Sequence, residues 1–252
     1  MNAQTTNAQT AIITGGGRGI GRAAAVTLSA AGWNVVVAGR TAASLDETVA
    51  LLAGEGLAVT CDVTAEADVD ALFAAAVERF GRVDVLFNNA GISAAATTVD
   101  ELGVEAWRQV IDINVNGSFL CARAAFAQMR SQEPQGGRII NNGSISAETP
   151  RLQSAAYTTS KHAITGLTKS LALDGRPFNI ACGQIDIGNV SSDMTAAMSG
   201  GVLQADGSTK AEPTMHMDNV TASILHIASL PLDANVLRMT VMASGMPFVG
   251  RG

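Results

Sequence analysis

The chain is expected to fold as a doubly wound α/β protein, a parallel sheet covered by helices on both faces. Three observations lead there. Short, nearly continuous apolar runs alternate with longer segments whose apolar residues recur at helical spacing, and strands buried on both faces read as such runs. A glycine-rich turn, Gly15-Gly-Gly-Arg-Gly-Ile-Gly21, stands between the first run and the first amphipathic segment, the place where such sheets bind phosphate. The 252 residues are 47% hydrophobic and 15% charged, which is enough apolar side chain to cover a sheet twice and too little charge for a disordered chain.

The elements follow in order. Residues 11–14 form the first strand, and the helix after the glycine turn spans 22–31, closed by Gly32. A Val-rich strand at 34–38 precedes a helix at 42–53, and glycines 54 and 56 lead into a third strand at 58–61. A helix at 68–80, a fourth strand at 83–88, a long helix at 107–129 and a fifth strand at 138–142 come next. A helix over 155–173 and a sixth strand over 178–182 follow. A looser segment at 186–217, a helix at 218–229 and a last strand at 237–242 complete the order. With no internal repeat, residues 11–252 are read as one domain behind a flexible polar tail, 1–10. Ligands on such sheets sit beyond the carboxyl ends of the strands, so the segments after strands one to six should converge.

The bulk charge narrows the partners. A net charge of −6 without a Lys/Arg cluster argues against nucleic acid and anionic membrane. Cys61, Cys121 and Cys182 lie far apart, a pattern of reduced thiols with no disulfide framework or zinc site. His162, His216 and His226 stand singly, so no metal is expected. No apolar stretch is long enough to span a bilayer. The expected location is the cytoplasm.

Chemistry enters with Tyr157, the chain's single tyrosine, and Lys161, four residues on in the same predicted helix. That spacing puts phenol and ammonium on one helix face. A free phenol is a poor acid at neutral pH, and a cation beside it favours the phenolate, which suits the pair to general acid–base work. Ser144 lies thirteen residues upstream, just past the fifth strand. Its surroundings, Asn142-Gly-Ser-Ile-Ser146, are not a Gly-x-Ser-x-Gly elbow, which argues against a serine hydrolase.

The glycine turn supplies the cofactor half. Gly15, Gly19 and Gly21 allow a tight turn and close approach to a pyrophosphate, and the helix N-terminus offers N–H groups and partial positive charge. Gly17, Arg18 and Ile20 complete the turn. After the second strand, an Asp or Glu would hold a free ribose 2′-hydroxyl, whereas an Arg accommodates a 2′-phosphate. The residues there are Gly39 and Arg40, and Arg18 adds a second guanidinium. NADP is therefore favoured over NAD. Asp62, with Val63 beside it, follows the third strand and is suited either to accept from the adenine amino group or to cap the next helix. Asn89, Ala90 and Gly91 follow the fourth strand, small enough for the backbone to pass close to a cofactor.

Thr14-Gly15-x-x-x-Gly19-x-Gly21, Asn88-Asn89-Ala90-Gly91, Ser144 and Tyr157-x-x-x-Lys161 together resemble the short-chain dehydrogenase/reductases, in order and spacing over most of the chain. Within that family the chain is similar to 3-oxoacyl-(acyl carrier protein) reductases and to sugar or steroid alcohol dehydrogenases. The resemblance implies a Rossmann-fold, NAD(P)-binding oxidoreductase that moves hydride between NADP(H) and a small carbonyl or secondary alcohol. It makes Tyr157 the general acid or base and Lys161 its support and a partner of the nicotinamide ribose. It makes Ser144 a donor to the substrate oxygen. Asn114 matches an asparagine that holds a water joined to the lysine, with Asn116 an alternative. A homotetramer or homodimer is also implied.

Departures bear on what carries over. Ile187 stands where the family has a threonine whose hydroxyl meets the cofactor, so Ile185 and Ile187 keep the position without that bond. Residues 174–178 are short, and Met242 onward replaces the usual Asp-Gly-Gly near a subunit interface. These departures sustain an alternative, a catalytically silent NADP-binding regulator or redox sensor. Substrate choice falls to residues 94–98, 149–155 and 189–217, where Met194, Met198, Met215 and Met217 suit an apolar pocket.

Overall fold

The computed structural model describes residues 8–191, 201–204 and 206–248. Strand β1 (Thr10–Thr14) leads through the glycine turn to α1 (Gly19–Ala30), β2 (Asn34–Gly39), α2 (Ala42–Val49) and β3 (Gly56–Thr60). Helix α3 (Glu66–Phe80) returns the chain to β4 (Val85–Asn88). Then α4 (Val104–Ile111), a π-helical turn (Asp112–Gly117) and α5 (Ser118–Ser131) make one long helical run before β5 (Gly137–Asn142). A 3₁₀ turn (Ile145–Ala147), α6 (Ala155–Asp174), β6 (Ile180–Ile187), a two-stranded ribbon of β7 (Val202–Leu203) and β8 (Thr209–Lys210), α7 (Met217–Ser229) and β9 (Arg238–Val241) follow.

Seven strands form one parallel sheet in the order β3-β2-β1-β4-β5-β6-β9. This is the doubly wound α/β fold that the alternation predicts. The chain leaves β1 toward β3, then crosses back to place β4 on the other side of β1. The crevice between the ends of β1 and β4 is therefore the switch point where such sheets bind ligands. Alternating strand residues fill two cores. Ala11, Ile13, Val35 and Val37 pack with Leu28 of α1 and Ile224 of α7 on one face. Ile12, Val36 and Leu86 pack with Leu72 of α3 and Met129 of α5 on the other. Among the described residues, no helix is long and apolar enough to cross a membrane.

The clearest departure from expectation is β6. The sequence pattern predicts it over 178–182, whereas it runs from Ile180 to Ile187, fully buried throughout, while Phe178 lies in a 3₁₀ turn (Arg176–Phe178). The polar residues Gln184 and Asp186 read as the end of a strand. They lie on the face toward α6, where hydrogen bonds satisfy them. Helix α1 starts at Gly19 rather than residue 22, and Gly19, at φ 54°, is the glycine through which the turn enters it. Gly32, at φ 90°, follows the C-cap residue Ala31 as the left-handed stop. Of the expected tail, residues 1–7 lie outside the described residues, and Thr10 is a buried strand residue whose N–H donates to Oδ2 of Asp84 (2.8 Å).

Candidate active site

The site begins at the end of β1. The buried hydroxyl of Thr14 accepts the N–H groups of Asn89 and Ala90 (3.0 Å each), and Nδ2 of Asn89 donates to the Thr14 carbonyl (2.8 Å). These bonds close the β1 turn onto the β4 loop. A Cβ on Gly15, at φ 64°, would press on Asn89 Nδ2 at 3.0 Å, and one on Gly21 would collide with the Gly15 carbonyl oxygen. Gly17 is packed against Ser44 of α2 and held by Arg22, whose Nη2 donates to the carbonyls of Gly17 (2.6 Å) and Ser44 (3.2 Å). Arg22 also pairs with Glu47 at 2.8 Å. Nothing in the sequence beyond its place after Gly21 marked Arg22 as the brace of the turn.

Arg18 is the N-cap residue of α1. No side chain caps the helix and no acidic residue lies in its first turn. Ile20 is partly buried against the core. The side chains of Arg18 and Arg40 are exposed, and neither forms a hydrogen bond or close ion pair among the described residues. Asp62 does not cap α3, whose N-cap residue is Ala65. Its Oδ1 accepts the N–H and hydroxyl of Thr64 (3.0 and 2.8 Å). Those bonds, foremost the backbone one, with a smaller pull from Arg40, hold its carboxyl below the ordinary carboxylate range. Val63 is buried against Gly117 of the π turn.

On the substrate side, Lys161 is buried and its Nζ donates to the carbonyl of Asn142 (2.7 Å), 5.5 Å from the centre of the Tyr157 ring. Asn142 in turn donates from Nδ2 to Oδ1 of Asn89 (2.9 Å). A chain of hydrogen bonds thus runs from Lys161 through Asn142 and Asn89 to the glycine turn. Tyr157 borders a small pocket with Ser93, Thr97, Leu102 and Gln153. Ser144 is buried in extended backbone; its Oγ accepts the N–H of Ser146 (3.1 Å), and its own N–H donates to Oδ1 of Asp186 (2.9 Å).

The π turn separates Asn114 from Asn116. Asn114 is buried, with Oδ1 accepting from Ile92 N–H (2.8 Å) and Nδ2 donating to the Ile92 carbonyl (2.9 Å) and Ser160 Oγ (3.0 Å). Ser160 Oγ donates to the Tyr157 carbonyl (2.7 Å), which ties Asn114 to the first turns of α6. A Cβ on Gly91 would approach Asn114 Oδ1 at 3.3 Å. Asn116 instead bonds Asp112 on the exposed face (2.8 Å).

Other candidates lie elsewhere. The side chains of Ile185 and Ile187 belong to the core on the α1 and α7 face, and the Ile185 carbonyl accepts the Gly143 N–H (2.8 Å). Met215 is buried in that same core and the partly buried Met217 packs against it, and Met194 and Met198 lie outside the described residues. The three histidines are exposed, and among the described residues no cluster of three metal-ligating side chains occurs.

The chain belongs to the short-chain dehydrogenase family, whose family model matches residues 9–201. It is 40% identical to a 3beta-hydroxysteroid dehydrogenase of Mediterraneibacter gnavus over 69% of its own length and 63% of that protein. It is 36% identical to a 3-oxoacyl-[acyl-carrier-protein] reductase of Synechocystis sp. over 75% of its length and 76% of that protein. Among solved structures, it superposes on an actinorhodin polyketide ketoreductase with NADPH (27% identity, 94% of this chain and 97% of that one, TM-score 0.86). It also superposes on a 3-ketoacyl-(acyl-carrier-protein) reductase from Brucella melitensis complexed with NADH (25% identity, 92% and 96%, TM-score 0.83).

Proposed function

We propose that the protein is an NADP(H)-dependent oxidoreductase interconverting a small-molecule carbonyl and a secondary alcohol, working as a homodimer or homotetramer. The observation that carries this reading is the hydrogen-bonded chain from Lys161 to the glycine turn, with Tyr157 one helical turn from the lysine. The turn fits a dinucleotide: α1 begins with uncapped N–H groups and no carboxylate, and the space beside Gly19, at φ 54°, is open. The Gly15–Gly21 segment would hold the diphosphate, Arg18 and Arg40 the 2′-phosphate, and Lys161 the nicotinamide ribose. When bound in reduced form, the nicotinamide supplies hydride. Tyr157 gives its hydroxyl proton to the substrate oxygen, and the Lys161 ammonium steadies the phenolate left behind. Ser144 donates from its hydroxyl to the same oxygen. In the alcohol direction Tyr157 takes the proton back. Asn114 keeps α6 in place through Ser160.

The test is a calorimetric titration with NADPH and with NADH, then a panel of ketones followed at the NADPH absorbance. Tight NADPH and weak NADH binding are expected. Arg40→Ala should weaken NADPH roughly 10- to 100-fold, the worth of one or two charged hydrogen bonds, and leave NADH nearly unchanged. Tyr157→Phe should lower kcat at least about 100-fold with NADPH affinity retained. Equal loss of both nucleotides in Arg40→Ala would remove the 2′-phosphate assignment, and full activity in Tyr157→Phe would remove the proton donor.

A further inference from the structure

A buried carboxylate beneath Ser144, paired with a partly exposed arginine, has no part in the reaction as set out above. Asp186 is fully buried in β6, on the strand face away from Ile185 and Ile187. Its Oδ1 accepts the backbone N–H of Ser144 (2.9 Å) and Nε2 of Gln184 (2.6 Å), and its Oδ2 accepts Nε of Arg238 in β9 (2.5 Å). The same guanidinium reaches Oε2 of Glu148 through Nη2 (3.0 Å). Glu148 closes the 3₁₀ turn that starts just after Ser144. One carboxylate therefore grips the front of the serine turn, and one guanidinium ties its far end to that carboxylate. Gln184 carries the network into α6: its Nε2 donates to Thr165 Oγ1 (3.1 Å), and its Oε1 accepts from Thr168 Oγ1 (3.3 Å). A side chain at Gly143 would collide with Asp186 Oδ1, so glycine there is what lets the carboxylate reach the serine amide.

We propose that Asp186 is a positioning residue: paired with Arg238 and braced by Gln184, it sets the Ser144 hydroxyl relative to Tyr157 and Lys161. A bond from a carboxylate to a backbone N–H is shorter and stronger than a neutral one. An unpaired carboxylate there would put negative charge beside an oxygen that itself gains negative charge in the reaction, and Arg238 offsets it. Pairing holds the Arg238 guanidinium above its ordinary value, chiefly through the hydrogen bond to Asp186. Two side chains from β6 thus connect the serine turn to the helix that carries the tyrosine and the lysine.

The inference rests on the carbonyl–alcohol reading of the site, and two measurements keep the two separable. The first needs no substrate. By NMR, the Ser144 amide proton should resonate downfield and exchange slowly in the wild-type protein, and in Asp186→Asn it should move upfield and exchange faster. No change in that signal overturns the proposal. The second uses a ketone that the wild-type protein reduces. Asp186→Asn should lower kcat roughly 10- to 100-fold, the cost of a small misplacement of a reacting group, with NADPH affinity unchanged. That loss should vanish in the Ser144→Ala background, because Asp186 acts through the serine. A loss that adds in full to that of Ser144→Ala marks a merely structural residue and overturns the proposal. If Asp186→Asn does not fold, Arg238→Gln, at a side chain 37% exposed, should show the same dependence on Ser144. A wild-type protein that reduces no carbonyl sinks the functional reading, and the amide signal alone then decides the role of Asp186.

Discussion

Cys61, Cys121 and Cys182 share one apolar cluster between the sheet and helices α3 and α5, all three unpaired and buried. Burial pushes the Cys182 thiol from 9.0 up to about 12. It does the same to Cys61, where the carboxylates of Asp68 and Asp62 add to it, and it raises Cys121 as well. Thiolate is the reactive form, so these groups are inert in the folded chain, which tells against a redox sensor built on them. The shift has a sign. In the unfolded chain a thiol ionises near 9, while the folded chain holds it neutral to about 12. Its contribution to stability is therefore complete below pH 9 and is lost as pH rises from 9 toward 12. For one proton the slope is about 1.4 kcal/mol per pH unit. Urea unfolding across that alkaline range should show wild-type stability falling with pH, and Cys182→Ala should fall less steeply by up to about that amount. Identical slopes would mean that Cys182 ionises in the folded state.

At the scale of elements, what could be read from sequence depended on whether the cause was local. The glycine turn, the Asn89 loop and the Tyr157–Lys161 spacing are short motifs whose geometry follows from a few adjacent residues, and the structure brings all three to one end of the sheet. The extent of β6 was hidden because Gln184 and Asp186 are satisfied by Thr165, Ser144 and Arg238, which are 19, 42 and 52 residues away in sequence. The π turn was hidden too: the spacing from 107 to 129 fits a continuous helix, and only the extra residue in Asp112–Gly117 turns Asn114 inward and leaves Asn116 at the surface. The junction of β1 and α1 is the opposite case. There Gly21 packs so close to the Gly15 carbonyl that a methyl group has no room. Gly21→Ala should cost roughly 1–3 kcal/mol from overpacking and should also abolish nucleotide binding, because the first turn of α1 must shift. Thermal unfolding with and without NADPH checks both. A variant that NADPH still stabilises as it does the wild type would show that the turn can move aside.

At the scale of the whole molecule, the sheet has a chemical end and a structural end. Ser144, Lys161 and the glycine turn gather at the carboxyl ends of the strands, while Arg138, second residue of β5, sits near the other end. Arg138 is 1% exposed and has no carboxylate partner among the described residues. Its Nη2 donates to the carbonyls of Leu230 (3.0 Å), Pro231 (3.0 Å) and Ala234 (2.9 Å), and its Nη1 to Oδ1 of Asn235 (3.3 Å). Asn235 Nδ2 then donates to the Cys182 carbonyl in β6 (2.7 Å). Burial disfavours the Arg138 charge, yet the cation collects carbonyls just past the C-terminus of α7, where the helix dipole favours positive charge. Arg138 therefore pins the link between α7 and β9 to the middle of the sheet. Arg138→Met keeps the apolar stem but leaves those carbonyls unpaired, a loss of about 3 kcal/mol once some regain water. At this chain length that lowers Tm by roughly 6–12 °C. Because the lesion lies at the end away from the turn, NADPH affinity at 25 °C should stay within about threefold of wild type, as sites without shared partners add independently. Calorimetric unfolding and nucleotide titration of the same variant decide it. A lower Tm with unchanged affinity shows that the two ends are uncoupled, whereas a joint loss shows that β5 and β6 transmit the defect to the site.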